Sequence, residues 1–326
     1  MQLSIVVPVY NSAECLPELA SRVLEDVGHH FQTYELILVN DASPDASWEV
    51  IERLTREREF VVGVNLRRNV GQDNAIMAGL HEARGDVVVI MDDDLQHDPA
   101  DIVALHQELE KGFDVVYAQF EHKRQAWWKN LGSRFADRVA VRVLGKPKNI
   151  YMSPYKAIRR EVVNEVIRYE GPFSYVDGLI FTVTSNIMQI AVEHHRRFAG
   201  RSNYNLVRSL AVWLKLATGF SVFPLRIATV LGGIISLFSL AMAAYFFVEA
   251  LVTHEPPGWP SLIVAVFFLA GVQLIGIGAV GEYIGRIFIT QNKRPQFTVK
   301  DVRRHAREPG RQSPSPSAPS RGDGVQ

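Results

Sequence analysis

The chain has 326 residues, with 35 basic and 35 acidic side chains and a formal net charge of zero, so no overall charge favours nucleic acid as a partner. Its single cysteine, Cys15, excludes an internal disulfide framework and fits a reducing compartment. The N-terminus has no basic region before its apolar run, and we expect that run to be a strand of the mature fold and not a signal peptide.

Short apolar runs alternate with amphipathic segments in the first two hundred residues. The apolar runs are rich in β-branched residues and predict strands at 3–9, 34–39, 61–66, 86–91 and 113–118. The segments between them predict helices near 13–28, 46–58, 72–84 and 99–111. This order predicts an α/β fold with a mostly parallel sheet. Ligands of such sheets bind beyond the carboxyl ends of the strands, where four polar loops are expected to meet.

Three of these loops carry residues suited to a nucleotide. Tyr10 is placed to stack on a base, and Gly71 lets the backbone approach a phosphate at the start of a helix. The carboxylate of Asp41 can accept hydrogen bonds from a base or from ribose hydroxyls. A turn or N-cap role for Asp41 is the alternative interpretation.

The fourth loop places Asp92, Asp93 and Asp94 directly after a predicted strand. Adjacent carboxylates in a crevice raise one another's pKa unless a cation lies among them. In an extended chain Asp92 and Asp94 point to one side and Asp93 to the other. Together with the carbonyl oxygen of Gln96, they form an oxygen-rich set suited to Mg²⁺ or Mn²⁺.

Helix capping is the alternative explanation for this acidic stretch. In that interpretation Asp98 is an N-cap, Pro99 is the first helical residue and Asp101 the third. Capping accounts for these residues and leaves the three acids upstream of them unexplained. The sequence therefore favours a metal site.

The composition changes after Arg226. Residues 227–248 and 262–281 carry no charged side chain, and each is about as long as the roughly 20 residues that cross a bilayer core. The link 253–261 has no Lys or Arg, whereas basic residues precede the first stretch and follow the second. This pattern predicts a transmembrane hairpin with both ends in the cytoplasm, and buried helices of a soluble core are the alternative.

Two further segments suit a bilayer surface. Residues 205–220 predict an amphipathic helix lying on the membrane. Residues 126–144, with Trp127 and Trp128 beside basic side chains, form either an ordinary packed helix or a second interfacial helix. The Pro/Ser-rich stretch 305–326 predicts disorder.

Several motifs resemble a known family when they are taken together. PVYNS (8–12), NDASPD (40–45), NVGQDNAIMAG (69–79) and DDDLQHDP (92–99) resemble family 2 glycosyltransferases, which have the Rossmann-like GT-A fold. HHRRFAGRSNY (194–204), FPLR (223–226), GEYIGRI (281–287) and RPQFTV (294–299) narrow the resemblance. They are similar to the membrane-anchored polyprenyl-phosphate glycosyltransferases, the group of dolichyl-phosphate mannose synthases and bacterial undecaprenyl-phosphate sugar transferases. The likeness covers about residues 3–300.

The resemblance implies a domain organisation and a set of site residues. The expected domains are a cytoplasmic catalytic domain at 1–204, an amphipathic juxtamembrane helix at 205–225, transmembrane helices at 226–252 and 262–289, and a basic, then disordered cytoplasmic tail at 290–326. The residues expected to bind the nucleotide sugar are Pro8, Tyr10, Asn11, Asp41, Asn69, Gly71, Gln72, Asp92 and Asp93. Asp92, Asp94 and Gln96 match the metal-binding motif, with Mg²⁺ or Mn²⁺ as the cofactor. Those expected at the acceptor phosphate are Arg124, Arg197, Arg201, Ser202 and Tyr204.

The catalytic residues that the resemblance implies are Asp94, Arg197 and Arg124, and here the sequence also departs from the family. Some relatives carry an acid, proposed as the catalytic base, where this chain has SPYKAI (153–158). Asp177 is the only nearby acid that we can offer instead, and a structural role is its alternative. A lipid monophosphate has a second pKa near 6 and is largely dianionic in the cytoplasm, so it needs positioning more than a general base.

The implied reaction is inverting transfer of a single sugar from a nucleotide sugar to a polyprenyl phosphate. We expect a UDP-sugar in preference to a GDP-sugar, undecaprenyl phosphate as the lipid, and a multi-pass enzyme of the inner membrane that serves cell-envelope glycans. The alternatives are a GDP-mannose-dependent mannose synthase and a non-catalytic nucleotide-binding adaptor. A processive polysaccharide synthase is disfavoured because the chain has no Gln-x-x-Arg-Trp motif. A homo-oligomer such as a tetramer stays open.

Overall fold

The structure is a computed structural model of the chain. It describes residues 1–120, 150–172, 174–192, 223–253, 259–292 and 294–305. The predicted acceptor residues Arg124, Arg197, Arg201, Ser202 and Tyr204 lie outside the described residues, as do the segments 126–144 and 205–220 and the tail beyond residue 305. Their roles stay predictions.

The described part of the chain contains a single eight-stranded sheet. Its strands are β1 Leu3–Val9, β2 Tyr34–Asn40, β3 Val61–Leu66, β4 Val87–Ile90, β5 Val115–Phe120, β6 Lys156–Arg159, β7 Ile187–Val192 and β8 Val299–Arg304. They lie in the order β7-β5-β6-β4-β1-β2-β3-β8. Only β6 and β8 run antiparallel to their neighbours. The predicted α/β fold with a mostly parallel sheet is therefore confirmed.

Helices connect the strands and cover both faces of the sheet. They are α1 Leu16–Gly28, α2 Ser47–Glu57, α3 Gln72–Glu82, α4 Asp101–Glu110, α5 Arg160–Val166, α6 Val176–Val183, α7 Phe223–Thr253 and α8 Trp259–Gln291. One apolar core joins one face of the sheet to α1, α2 and α4, and a second joins the other face to α3, α5 and α6. A strand that is buried on both faces has an unbroken run of apolar residues. This is why strands β1 to β5 could be predicted from the sequence.

The start of α4 differs from the capping interpretation. The helix begins at Asp101, and its N-cap is Ala100, whose methyl side chain cannot accept a capping hydrogen bond. Asp98 is therefore not the N-cap. Its carboxylate instead accepts a 3.1 Å hydrogen bond from the backbone N–H of Ala100. The tight turn formed by residues 98–102 delays the helix by two residues relative to the prediction.

The two long helices α7 and α8 follow one another and contact each other. Among the described residues, one helical stretch, Phe268–Gln291, is long and apolar enough to cross a membrane. A shorter apolar stretch, Ala228–Met242, lies in α7. The described residues therefore provide one candidate span, and the predicted transmembrane hairpin stays a prediction.

The chain returns to the sheet after α8. Strand β8 pairs antiparallel with β3, with Val64 opposite Val302 and Leu66 opposite Val299. Arg304 donates to the buried carboxylate of Glu35 and to Glu82, at 3.4 and 2.9 Å. The sequence predicts a basic segment here, and strand β8 was not predicted.

Candidate active site

The candidate site lies where the order of the strands reverses. Strand β1 pairs with β2 on one side and with β4 on the other, so the loops after β1 and β4 diverge and leave a crevice at the carboxyl end of the sheet. A cleft of about 330 Å³ opens there. It is lined by Pro8, Val9, Tyr10, Asp41, Asn69, Gly71, Gln72, Asp92, Asp93 and Asp94.

This lining brings together most of the predicted site residues. Of the residues predicted to bind the nucleotide sugar, all but Asn11 line the cleft, and so does Asp94 of the predicted metal set. Asn11, Gln96 and Asp177 are not among the lining residues. Val9 lines the cleft and was not predicted, because a strand-end valine carries no chemical signal.

Asp41 holds the neighbouring loop through backbone hydrogen bonds. Its two carboxylate oxygens accept from the N–H groups of Val70 and Gly71, at 2.7 and 2.9 Å. Burial raises the pKa of the Asp41 carboxyl, and these two N–H groups oppose that shift. Asp41 therefore shapes the loop that borders the cleft, and its role as a direct ligand stays a prediction.

Gly71 is the N-cap of α3 and has a backbone conformation that few other residues adopt. Its φ is +86°, and a Cβ added there would meet nothing within 4 Å. The first N–H groups of α3 lie next to the cleft, where a helix N-terminus favours an anion. Gly71 thus combines a positive φ with open space around the position of a Cβ, in the lining of the cleft.

Backbone strain is concentrated around the cleft. The described residues include three non-glycine residues with positive φ, namely Asn11, Ala42 and Leu95. They lie in the loops after β1, β2 and β4, which meet at the cleft. Each such residue costs about 1 kcal/mol or more, and strain of this kind is typical of functional loops.

The three consecutive acids make different contacts. Asp92 accepts a 2.7 Å hydrogen bond from the side-chain amide of Gln72. Asp93 turns toward β1 and accepts from the backbone N–H of Tyr10 at 3.3 Å, and burial raises the pKa of its carboxyl. Asp94 accepts from the backbone N–H of Gln96 at 3.2 Å. Residues 93–95 form a bend, so the alternation expected for an extended chain stays a prediction.

His97 is hydrogen-bonded to the backbone of the acidic loop, a contact that no sequence pattern predicts. Its Nδ1 accepts a 3.1 Å hydrogen bond from the backbone N–H of Asp92. Its ring stacks on Tyr155 with centroids 5.0 Å apart and an angle of 11° between the planes. The hydroxyl of Tyr155 donates to the carbonyl of Asp98 at 2.7 Å. These buried groups fix the loop that carries the acids.

The residues present fit a hard divalent cation that a substrate helps to hold. Among the described residues, no group of three or more His, Cys, Asp or Glu side chains is gathered as a metal site. Mg²⁺ is usually bound by one or two carboxylates together with phosphate oxygens and water. Asp92 and Asp94 in the lining of the cleft meet that requirement, whereas Gln96 as a third ligand stays a prediction.

Asp177 is held by other side chains. It pairs with Lys156, which is 3 % exposed, and accepts a 2.8 Å hydrogen bond from the hydroxyl of Tyr117. These contacts match the structural alternative for Asp177 that the sequence leaves open. Its role as a catalytic base stays a prediction.

Comparison with known proteins supports the resemblance noted in the motifs. The sequence model of glycosyl transferase family 2 matches residues 4–167. An undecaprenyl-phosphate 4-deoxy-4-formamido-L-arabinose transferase from Proteus mirabilis is 31% identical over 92% of this chain and 94% of its own length. A protein of the same name from Shewanella sediminis is 33% identical over 92% of each chain.

Solved structures with a similar arrangement are more distant. One is a glucosyl-3-phosphoglycerate synthase from Mycobacterium tuberculosis, crystallised with Mn²⁺, UDP and phosphoglyceric acid. It is 17% identical, the match covers 67% of this chain and 76% of that chain, and the TM-score is 0.49. A likeness at this level does not identify a ligand for this chain.

Proposed function

The chain belongs to glycosyl transferase family 2, within the polyprenyl-phosphate glycosyltransferases, and on this premise we propose that it transfers one sugar, with inversion, from a nucleotide sugar to undecaprenyl phosphate. The observation that carries the proposal is the cleft. Asp92, Asp94, Gly71 and Tyr10 line one crevice, in a chain that aligns along most of its length with undecaprenyl-phosphate sugar transferases. The product would be a lipid-linked sugar for modification of cell-envelope glycans.

The names of the relatives support the acceptor. Each of the two names gives undecaprenyl phosphate as the acceptor. Both alignments cover 92% of this chain, including its long apolar helices. A shared acceptor would account for the joint presence of the cleft and the apolar segments. The sugar in those names, 4-deoxy-4-formamido-L-arabinose, is one candidate for transfer by this chain.

The cleft supports a nucleoside diphosphate sugar as the donor, and we favour UDP over GDP from the resemblance of the motifs. Tyr10 is 53 % exposed and offers a free ring face for a base. The start of α3 after Gly71 offers backbone N–H groups and the positive end of a helix to phosphate. Asp92 and Asp94 provide the oxygen ligands for Mg²⁺ or Mn²⁺.

The chemistry needs positioning and charge neutralisation. Asp92 and Asp94 would hold a divalent ion, which would supply positive charge for the departing diphosphate. Gln72 orients Asp92, and Asp41 holds the loop on which the phosphates would rest. The dianionic lipid phosphate attacks the anomeric carbon in line with the departing group, so no general base is required. A reaction without a general base is compatible with the contacts of Asp177, whose carboxylate already binds Lys156 and Tyr117.

Arginine side chains would offset the repulsion between the two phosphorylated substrates. We propose Arg124 and Arg197 for this role, with Arg201, Ser202 and Tyr204 beside the acceptor phosphate. A guanidinium binds phosphate through two parallel N–H groups, which suits this task. All five residues lie outside the described part of the chain, so their assignment rests on the resemblance of the motifs.

The two long helices would anchor the enzyme in the cytoplasmic membrane as a hairpin. Helices α7 and α8 have 31 and 33 residues, and their apolar side chains are exposed, as at Leu237 and Ile275. A helix of roughly 20 residues is sufficient to cross a bilayer core. Basic residues on the flanks favour a cytoplasmic position for both ends and for the cleft.

A donor screen tests the proposal directly. The full-length chain in detergent would be given undecaprenyl phosphate, Mg²⁺ or Mn²⁺, and a panel of UDP- and GDP-sugars, with nucleotide release and the mass of the lipid product as readouts. We expect a single sugar on the lipid phosphate and loss of the reaction in excess chelator. A long polymer, undiminished turnover in chelator, or no lipid product with any donor would contradict it.

A further inference from the structure

A buried cluster of charged and polar side chains lies next to the cleft and has no part in the reaction described above. We call Asp73, Tyr117, Lys156 and Asp177 the buried charge cluster. Lys156 and Tyr117 are 3 % and 0 % exposed. Lys156 and the Tyr117 hydroxyl both bond to the same oxygen of Asp177, and the Lys156 Nζ lies 5.2 Å from the centroid of the Tyr117 ring.

The charges of this cluster do not balance. One lysine faces two carboxylates, those of Asp177 and Asp73. The pKa of Asp73 is raised to about 6, mainly by burial and to a smaller extent by Asp177, while the backbone N–H of Val176 and the charge of Lys156 oppose the shift. A buried ion pair of this kind adds little net stability and is often replaceable by apolar side chains of similar volume. The cluster therefore calls for an explanation other than stability.

The cluster is joined to the first turn of α3. The carboxylate of Asp73 accepts a 3.2 Å hydrogen bond from the backbone N–H of Val176, the residue before Asp177. The next residue, Asn74, accepts from the hydroxyl of Ser174 and donates to the carbonyl of Val70 at 3.0 Å. The loop that leads into α6 is thus hydrogen-bonded to the first turn of α3.

The cluster is also joined to the strand that carries the acids. Lys156 pairs with Ile90 of β4 in the sheet, two residues before Asp92. On its other side Lys156 pairs with Tyr117 of β5. The ion pair with Asp177 therefore connects the end of β4 to the start of α6, and α6 is fastened to α3.

The path from the cluster to the cleft ends at Gln72. This residue opens α3, directly before Asp73, and its side-chain amide donates a 2.7 Å hydrogen bond to Asp92. A partner that orients a metal ligand commonly changes metal affinity 10- to 100-fold when it is removed. A shift of α3 would therefore move one hydrogen-bond donor of the Asp92 carboxylate.

We propose that Lys156 and Asp177 are positioning residues for the candidate metal ligand Asp92, acting through the first turn of α3 and Gln72. The inference rests on the proposed function, since it takes Asp92 as a ligand of a nucleotide-bound divalent ion. It assigns to Asp177 a role in orientation and none at the reacting atoms.

Binding of Mn²⁺ tests this without any sugar transfer. Free Mn²⁺ would be measured from its electron paramagnetic resonance signal as the ion is titrated into the full-length chain with UDP. The variant K156M/D177L removes both charges and keeps the volume, and we expect it to fold and to bind Mn²⁺ about tenfold more weakly. Gln72→Ala is expected to weaken binding similarly and to add little in the K156M/D177L background, because both act on one path.

Two further variants keep the test decisive. Asp177→Asn leaves Lys156 balanced by Asp73 and keeps an acceptor for Tyr117, so it is expected to fold and to weaken Mn²⁺ binding severalfold even where the double variant does not fold. The matched control K111M/E108L removes a surface ion pair at the C-terminal end of α4. It should leave the Mn²⁺ dissociation constant unchanged.

The outcomes separate the two proposals. A folded K156M/D177L or Asp177→Asn variant whose Mn²⁺ dissociation constant stays within twofold of the wild-type value overturns the positioning role. A wild-type chain that binds Mn²⁺ with UDP and transfers no sugar overturns the proposed function alone. A wild-type chain that binds no Mn²⁺ in the presence of UDP overturns the positioning role, and the donor screen with Mg²⁺ or Mn²⁺ then decides the proposed function.

Discussion

The backbone N–H of Tyr10 donates a 3.3 Å hydrogen bond to Asp93, so the middle acid of the triplet is tied to the loop after β1. Asp92 instead accepts from Gln72, at the start of α3. One short run of acids thus joins three loops around the cleft. The division of contacts predicts that the three acids are unequal in function.

The outer acids are expected to be indispensable and the middle one replaceable. Asp92→Ala or Asp94→Ala should lower the rate of sugar transfer at least about 100-fold, because charge on the departing diphosphate loses its counter-ion. Asp93→Asn keeps an acceptor for Tyr10 and should lose less than about tenfold. Nucleotide release at saturating Mn²⁺ measures this, and full activity of either alanine variant would refute the metal assignment.

Gly71 and Gly112 allow the effect of a strained backbone to be separated from an effect on the site. Both have positive φ, and a Cβ at either position meets nothing within 4 Å. Each Gly→Ala change should therefore cost about 1 kcal/mol of stability through the backbone alone. Only Gly71 lines the cleft, so only Gly71→Ala should also raise the donor KM. Equal donor KM values for the two variants would show that Gly71 does not face the donor.

Asp73 should make stability depend on pH. Its pKa is raised from 3.8 to about 6 in the folded chain, first by burial, so the folded state binds more protons than the unfolded state between these pH values. Stability is then lost as the pH rises through this window, by on the order of 3 kcal/mol in total. Asp73→Asn keeps the acceptor for Val176 and removes the titration.

Melting temperatures of the two proteins from pH 5 to pH 8 provide the measurement. We expect the advantage of Asp73→Asn over the wild type to grow as the pH rises. Other titrating groups are shared by both proteins and cancel in the difference. A difference that stays constant across the range would mean that Asp73 keeps an ordinary pKa.

Arg304 and Arg303 on β8 provide a matched pair. Arg304 donates to Glu35, whose side chain is 4 % exposed, and removing it leaves a buried carboxylate with fewer partners. Arg304→Ala should cost about 1–3 kcal/mol of stability. Arg303 is 53 % exposed and pairs with Glu52 and Asp301 at the surface, so Arg303→Ala should have little effect. Thermal unfolding in detergent would compare the two, and equal losses would contradict the role of Glu35.

The sequence predicts the first half of the sheet because burial on both faces leaves unbroken β-branched runs. Strands β1 and β3 have the predicted bounds, and β2, β4 and β5 differ at their ends by a few residues. The lining of the cleft could be predicted for the same reason, since the carboxyl ends of parallel strands converge. Strands β6 and β8 carry charged residues, Lys156 and Arg304 among them, whose burial depends on partners distant in sequence.

The supporting contacts of the site could not be predicted. His97 contacts Asp92 across a bend that includes Leu95, whose φ of 59° no sequence pattern indicates. Asp41 binds the backbone of Val70 and Gly71, a geometry set by the distance between two loops. The acceptor residues from Arg124 to Tyr204 stay predictions from the resemblance.

With α8 as the proposed membrane anchor, the return of the chain to the sheet through β8 would limit the distance between the cleft and the bilayer. Residues 292–298 connect the end of α8 to Val299, and a fully extended chain of that length reaches on the order of 28 Å. Thr298 accepts a hydrogen bond from the N–H of Arg67, which follows β3 and precedes the loop at Asn69. With α8 ending at the bilayer surface, this short tether would let the enzyme collect a soluble donor and reach a phosphate at the headgroup level without the acceptor leaving the bilayer.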